Sequence, residues 1–394
     1  MLNVDWNDRN GGMPPRETFW SAYSFIIIVI LLIAAGGIAL YLFGEDLLNG
    51  RPSKGVASQA QNGISPEFYG RFDIQPLPAE VAGSGSMARN LAILVREPCD
   101  WQATYKFTDD LREEGYRREA AKVFLAFTAK CNPSDVALYN AADILYGLSD
   151  LDAALKVSND LIVMSPDLAQ NHYMRAQILE DAKRYQEAID EYDSTIGLTD
   201  DLKSLNSTVF RRLSLSYAAL GQYCQAITPI QTWISIDPSE NDTPRTQSII
   251  KDYSRKGKCA ESYATGSDRF PTQGKDVITA QVSVNGVTGT FVVDTGASSV
   301  SLSKSFAERA EIRLGRDHMV RLQTANGIAM AQRTSLEKVK LGKVEADDVA
   351  AVVHADDHAL GEGTDGLLGR SFLSRFDVTF GAKEWRIESK KQRD

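Results

Sequence analysis

Between residues 89 and 259 small residues recur on a fixed period, and this constrains the fold more than any other feature of the chain. Ala120, Ala154 and Ala188 are separated by 34 residues each, and Ala226 follows 38 residues later. Each alanine sits just after a turn residue or an aromatic: Gly115-Tyr116 before Ala120, Leu151-Asp152-Ala153 before Ala154, Arg184-Tyr185 before Ala188, and Gly221-Gln222-Tyr223 before Ala226. Pro133, Pro166 and Pro238 fall at the ends of their units, with Asp200 in the corresponding place of the third. A sustained period of this length belongs to stacked units that each bury a face only against their neighbours. Alanine lets two helices approach closely, aromatics fill the groove between units, and proline cannot continue a helix.

The period and the Ala/Pro positions resemble the tetratricopeptide family over about 170 residues. That resemblance implies an all-α solenoid of helical hairpins with the capacity to bind a protein partner.

The rest of the chain divides around this array. Its 394 residues exceed one compact core, and a net charge of -9 offers nothing to a nucleic acid. Residues 21–43 carry no charge and are dense in Ile, Leu, Val and Ala. As a helix they would span about 35 Å, enough to cross a hydrocarbon core of roughly 30 Å. Trp20 and Tyr23 stand at one end and Tyr41 and Phe43 at the other, as interfacial aromatics do. The run exceeds the apolar part of a signal peptide and lacks a small-residue cleavage site. The expectation is an uncleaved transmembrane helix at 20–43 behind a polar cytoplasmic tail at 1–19. Residues 44–88, rich in Gly, Ser and Pro, are read as a tether, with short ordered pieces around Phe68 and Phe72.

Basic residues flank the span evenly, Arg9 and Arg16 before it and Arg51 and Lys54 after it, so charge does not orient it. The cysteines do. Cys99, Cys131, Cys224 and Cys259 all follow the span, and an even number is compatible with two disulfides and an oxidising compartment. Cys224 and Cys259 lie at nearly the same phase of successive repeats, which pairs them and leaves Cys99 for Cys131. Four cysteines allow three connectivities; phase favours this one, and sequence alone does not fix it. The chain is then a single-pass protein of the bacterial inner membrane with its C-terminal domains in the periplasm. No Cys/His cluster suggests a metal, and no cofactor is expected.

After a second linker at 260–275 the period becomes that of strands. Ile278, Ala280, Val282 and Val284 alternate up to Asn285-Gly286, a hairpin dipeptide, and the chain returns through residues 290–293. Further strands are read around 320–324, 328–330, 339–341 and 349–353, with short helices at 304–311 and 370–373. Residues 276–394 thus form a mostly β domain. Its apolar strand 291–293 delivers Asp294 into the small-residue turn Thr295-Gly296-Ala297-Ser298. An acid at the end of an apolar strand is costly to desolvate and needs a reason. Chemistry supplies one: two facing carboxylates sharing a proton can activate water and polarise a carbonyl. Thr295 can bond across to a partner loop, and Gly296 lets backbone N–H groups reach the carboxylate.

With Leu367-Leu368-Gly369-Arg370 downstream, the Asp294-Thr295-Gly296-Ala297 motif is similar to the retropepsin-like aspartic proteases, in particular the bacterial single-domain type. The resemblance covers about residues 276–390. It implies that Asp294 is catalytic, that Leu367, Leu368 and Gly369 support its loop, and that Thr324, Ala325, Asn326 and Gly327 form the tip of a flap. The tip departs from the glycine-rich tip of viral relatives, so substrate preference does not carry over. No second Asp-Thr-Gly or Asp-Ser-Gly exists in the chain, and Asp365-Gly366 lacks the hydroxyl residue. Catalysis therefore requires a homodimer with Asp294 from each copy at the two-fold axis. Arg370 is read as a structural contact, and His172, His318, His354 and His358 as surface residues. Two functions are compatible with these features: a membrane-anchored aspartic endopeptidase whose repeats recruit substrate or a regulator, or a non-catalytic peptide-binding scaffold.

Overall fold

The computed structural model describes residues 64–259, 263–272, 277–314, 319–324, 327–361 and 363–390. The expected tail, the membrane span at 20–43 and the first part of the tether lie outside them. Among the described residues no helix is long and apolar enough to cross a membrane.

The periodic region is a run of antiparallel helical hairpins. They pair α4 (Trp101–Glu113) with α5 (Arg117–Lys130), α6 (Asp135–Gly147) with α7 (Leu151–Met164), α8 (Ala169–Asp181) with α9 (Tyr185–Gly197), and α10 (Ser207–Ala219) with α11 (Tyr223–Ile236). A turn, α12 (Pro238–Asn241), and a last helix, α13 (Pro244–Gly257), close the array. Ala120, Ala154, Ala188 and Ala226 each occupy the fourth position of a second helix and are fully buried. Helix starts follow capping chemistry: the side chains of Asp100, Ser134, Asp150 and Asn206 accept from backbone N–H groups of the first turn. The turn inside each hairpin carries one residue at positive φ, namely Gly115, Ser149, Lys183 and Gly221. This position repeats with the alanines, and two of the four units fill it with a residue that has a Cβ. Disulfides join Cys99 to Cys131 and Cys224 to Cys259.

The tether reading fails for its second half. Three short helices, α1 (Pro66–Gly70), α2 (Ala79–Ala82) and α3 (Gly85–Arg96), bury Tyr69, Phe72, Ile74, Leu77 and Met87. They extend the array N-terminally, with Phe72 against Phe107 of α4. α1 and α2 are too short to show a period, whereas α3 shows one, with Met87, Leu91 and Leu94 buried on a single face.

The second linker also carries structure. Within it β1 (Ser267–Pro271) joins the β domain, pairing with β10 (Glu384–Ser389), which pairs with β9 (Phe376–Phe380). The main sheet holds seven strands in the order β2-β3-β8-β4-β7-β6-β5. These are β2 (Thr279–Val284), β3 (Val287–Val293), β4 (Val300–Leu302), β5 (Met319–Thr324), β6 (Gly327–Leu341), β7 (Val344–His354) and β8 (Gly366–Leu368). The long β6 also pairs with β2, Leu341 opposite Val282, which curls the sheet around its core. Asn285 and Gly286 both have positive φ, the requirement of the tight turn that joins β2 to β3. Helices α14 (Lys304–Arg309) and α15 (Arg370–Leu373) cover the core, with Phe306 and Phe372 fully buried. Array and β domain belong to one compact unit, Ile64–Asp394.

Candidate active site

Strand β3 enters the core between β2 and β8, running parallel to β8 with Phe291 opposite Gly366 and Val293 opposite Leu368. Its apolar side chains are held on both flanks, so Asp294 leaves the strand from a fixed point. The Asp294 N–H donates to the carbonyl of Leu368 at 3.2 Å. Its Oδ1 then accepts from Gly296 N at 2.7 Å and Ala297 N at 3.2 Å. The carboxylate is thus oriented by its own turn, and no described residue donates to Oδ2. A Cβ on Gly296 would lie 3.1 Å from Oδ1, so a side chain there would crowd the carboxylate.

Leu367, Leu368 and Gly369 run beneath this loop. Leu367 lies opposite Ser301 of β4, and the N–H of Arg370 donates to Ala297 O at 2.9 Å. Ser371 accepts from Val300 N at 2.9 Å and donates to Ala350 O at 2.7 Å, tying α15 to β7. Gly369 is where the two segments touch: a Cβ would meet Ser299 O at 2.1 Å. Asp365 is fully engaged, its Oδ2 accepting from Thr290 N at 2.8 Å and its Oδ1 pairing with Arg309 at 2.6 Å. It buttresses β3.

Strands β5 and β6 make the hairpin anticipated between loop and support, with Thr324 opposite Gly327 and Thr324 Oγ1 donating to Gly327 O at 2.8 Å. Ala325 and Asn326, the tip itself, lie outside the described residues.

The surroundings of the loop come from the helical array. Asp294, Gly296 and Ala297 line a cleft of about 510 Å³ whose opposite wall is built by Ile196, Thr199 and Leu202, at and after the end of α9. Thr295 opens onto a second cavity, of about 1020 Å³, walled by Ser235, Asp242 and Gln247 of the array. Ser298 and Ser299 border a small apolar cavity of about 60 Å³ against Phe210, Leu213 and Tyr217.

Arginines of the β domain hold the two parts together. Arg333 of β6 pairs with Asp190 at 2.7 Å and Asp193 at 3.5 Å and donates to the Tyr217 hydroxyl at 3.0 Å. Burial is the chief cause that lifts the Asp193 carboxyl to about 7; nearby Asp190 adds to it and Arg333 opposes it. Arg321 of β5 pairs with Asp167 at 2.7 Å. Arg375, 2% exposed, donates to the carbonyls of Tyr263, Asp347 and Asp348 and lies over the Tyr263 ring. Arg370 donates to Ser235 Oγ at 2.7 Å. Burial pushes its guanidinium down while Asp294 pulls it up, and its Nε has no partner among the described residues. Arg370 therefore faces both the array and the Asp294 loop.

Two histidines correct the surface reading. His172 is buried, bonded to Glu191 and to Pro166 O at 2.7 Å each. His354, at the end of β7, is 2% exposed and lines the Asp294 cleft. Burial holds its imidazole below its usual value, and Nδ1 has no partner among the described residues. Its place after the apolar run 349–353 was the available signal: it continues a buried strand.

Residues 280–375 match the model of the gag-polyprotein putative aspartyl protease family. Over 96 residues the chain is 32% identical to an uncharacterized protein in the cobV 5′ region of Sinorhizobium sp., covering 24% of this chain and 40% of that one. The chain thus spans less than half the length of this curated relative. Among solved structures, a retropepsin-like aspartic protease from Rickettsia conorii is 25% identical, covering 32% of this chain and 90% of that one at a TM-score of 0.25. The MamA protein is 15% identical over 40% of this chain and 85% of that one, at a TM-score of 0.35. YrrB, a TPR protein with an unusual peptide-binding site, is 14% identical over 38% of this chain and 76% of that one, at 0.34. The family match takes in Asp294, the β5–β6 hairpin and the segment 367–369 together, so the stretch that is similar to an aspartyl-protease family follows a helical-repeat array.

Proposed function

We propose that the protein is an aspartic endopeptidase in which Asp294 of two copies shares a proton and activates water against a peptide bond. The observation that carries this is the Asp294 loop: a carboxylate oriented by Gly296 and Ala297 N–H groups and propped on 367–369. One oxygen is held and the other is left for a water or a partner carboxylate. Asp365 is committed elsewhere, so the second acid comes from another chain.

Residues 20–43 anchor the chain in the bacterial inner membrane, and the two disulfides favour a periplasmic location for the array and the β domain. Digestion of intact spheroplasts by an added protease checks this; protection of the array would reverse the orientation. The array also serves as a docking surface for protein substrate or a regulator.

The packing of Ile196–Leu202 against the Asp294 cleft also suits the second reading, a scaffold that binds peptide without cutting. The deciding assay compares wild type and Asp294→Ala on an unfolded protein at mildly acidic pH, at concentrations where cross-linking detects dimer. Cleavage falling at least 100-fold in the variant supports the protease. Cleavage that survives the substitution removes Asp294 from the chemistry, and a cross-linked dimer with no activity favours the scaffold.

A further inference from the structure

We propose that the helical array is an intramolecular gate on the dyad, covering the face through which two Asp294 loops must meet, so that array docking and dimerisation exclude each other. This rests on the protease reading above and concerns how the same site is controlled.

The half-site sets the requirement. A second carboxylate has to come within hydrogen-bond reach of the first, about 3 Å, and Thr295 has to reach the partner loop. The array lines both approaches, although Thr295 and Gly296 stay exposed beside it. Asp294 looks across its cleft at Ile196, Thr199 and Leu202, and Thr295 looks across its cavity at the α11–α13 end of the array. The cleft has the volume of a ligand pocket, about 510 Å³.

The hairpin that would close over substrate is held by the same helices. Arg321 and Leu322 on β5 engage Asp167 and Gly197, where a Cβ would lie 2.3 Å from Leu322 Cδ2. Arg333 on β6 is sunk between Asp190, Asp193 and Tyr217. Arginine with carboxylates and hydroxyls is the chemistry of interfaces that separate, since each group has a good alternative partner in water.

The test uses the full chain in detergent, with dimer measured by analytical ultracentrifugation and cleavage measured on the same samples. Arg333→Asp sets a third acid beside Asp190 and Asp193 and undocks the array. The dimer association constant should rise at least ten-fold, about 1.4 kcal/mol, with Asp294-dependent cleavage rising in step. Adding Asp190→Arg to that variant should restore wild-type behaviour. The opposite perturbation is a lock: Gly197→Cys with Leu322→Cys, whose Cβ at 197 would lie 3.6 Å from the present Leu322 Cγ, within reach of a disulfide. The oxidised lock should lower dimer and cleavage at least ten-fold relative to Leu322→Cys alone, and it serves if Arg333→Asp does not fold. A locked chain that still dimerises and cleaves overturns the gate and leaves the protease reading intact. A dimer constant indifferent to both variants overturns it as well. An undocked chain that dimerises but cleaves nothing keeps the gate and ends the protease reading.

Discussion

Gly369→Ala tests how tightly the catalytic loop rests on its support. Gly369 has φ -91° and ψ -172°, an extended conformation open to any residue, so the substitution adds no backbone strain. Its whole effect is steric. The new methyl would lie 2.1 Å from Ser299 O, 2.5 Å from Ser299 C and 3.0 Å from Ala297 O, all backbone atoms of the loop that carries Asp294. Restoring an ordinary contact of 3.4 Å or more requires the two segments to part by roughly 1.3 Å, against the Asp294–Leu368 and Arg370–Ala297 backbone bonds. Overpacking of this kind costs about 1–3 kcal/mol. For a unit of this size that lowers Tm by roughly 2–4 °C per kcal/mol. A misplacement of about 1 Å at reacting groups costs on the order of 100-fold in rate. Differential scanning calorimetry and cleavage of an unfolded protein would be read on the same preparation. A variant that melts with the wild type and cleaves at the same rate refutes the claim that segment 367–369 sets the loop's position.

The left-handed turn residues Ser149 and Lys183 bear a Cβ penalty that Gly115 and Gly221 avoid, so Ser149→Gly and Lys183→Gly should each stabilise by about 0.5–1 kcal/mol in urea titration; a loss of stability would contradict the turn assignment. Asp193, facing Asp190, Arg333 and Tyr217, has its carboxyl raised to about 7, so the folded chain holds that proton more tightly than the unfolded one. Its stabilisation is complete below about pH 4 and is lost as pH rises through 7, so the Tm difference between wild type and Asp193→Asn should shrink or invert over that range; a difference independent of pH would refute it. Removing Cys224–Cys259, which closes 35 residues, should cost about 4 kcal/mol, and four titratable thiols in the oxidised wild type would contradict both bridges.

Local chemistry was legible wherever one stretch of chain carried its own reason. The alanine period located the hairpins because each unit repeats the same contact, and Asn285-Gly286 marked its turn because few other pairs accept two positive φ values. Segment 370–373 was found as α15 for similar reasons. Residues 64–88 escaped because their apolar side chains bury only on docking to the array, and β1 because its partner is distant; β9 and β10 do carry a strand alternation in Phe376, Val378, Phe380, Trp385 and Ile387. Ser267 faces Glu388 across more than a hundred residues, and nothing local announces that pairing. His172 and His354 were misplaced for a related reason: a polar ring on an isolated stretch reads as exposed until the fold surrounds it.

By itself the sequence determined that there is a helical-repeat array, a β domain and one Asp-Thr-Gly turn, and hence half a site. Period, turn chemistry and carboxylate arithmetic are properties of neighbours along the chain, so they survive without a structure. Tertiary structure alone decided that the array lies across that half-site, joined through Arg333, Arg321 and Arg370. Such a contact joins residues more than a hundred positions apart and uses charges that sequence reading assigns to a solvated surface. Only packing shows that Asp190 and Asp193 on one helix meet an arginine on the hairpin beside Asp294.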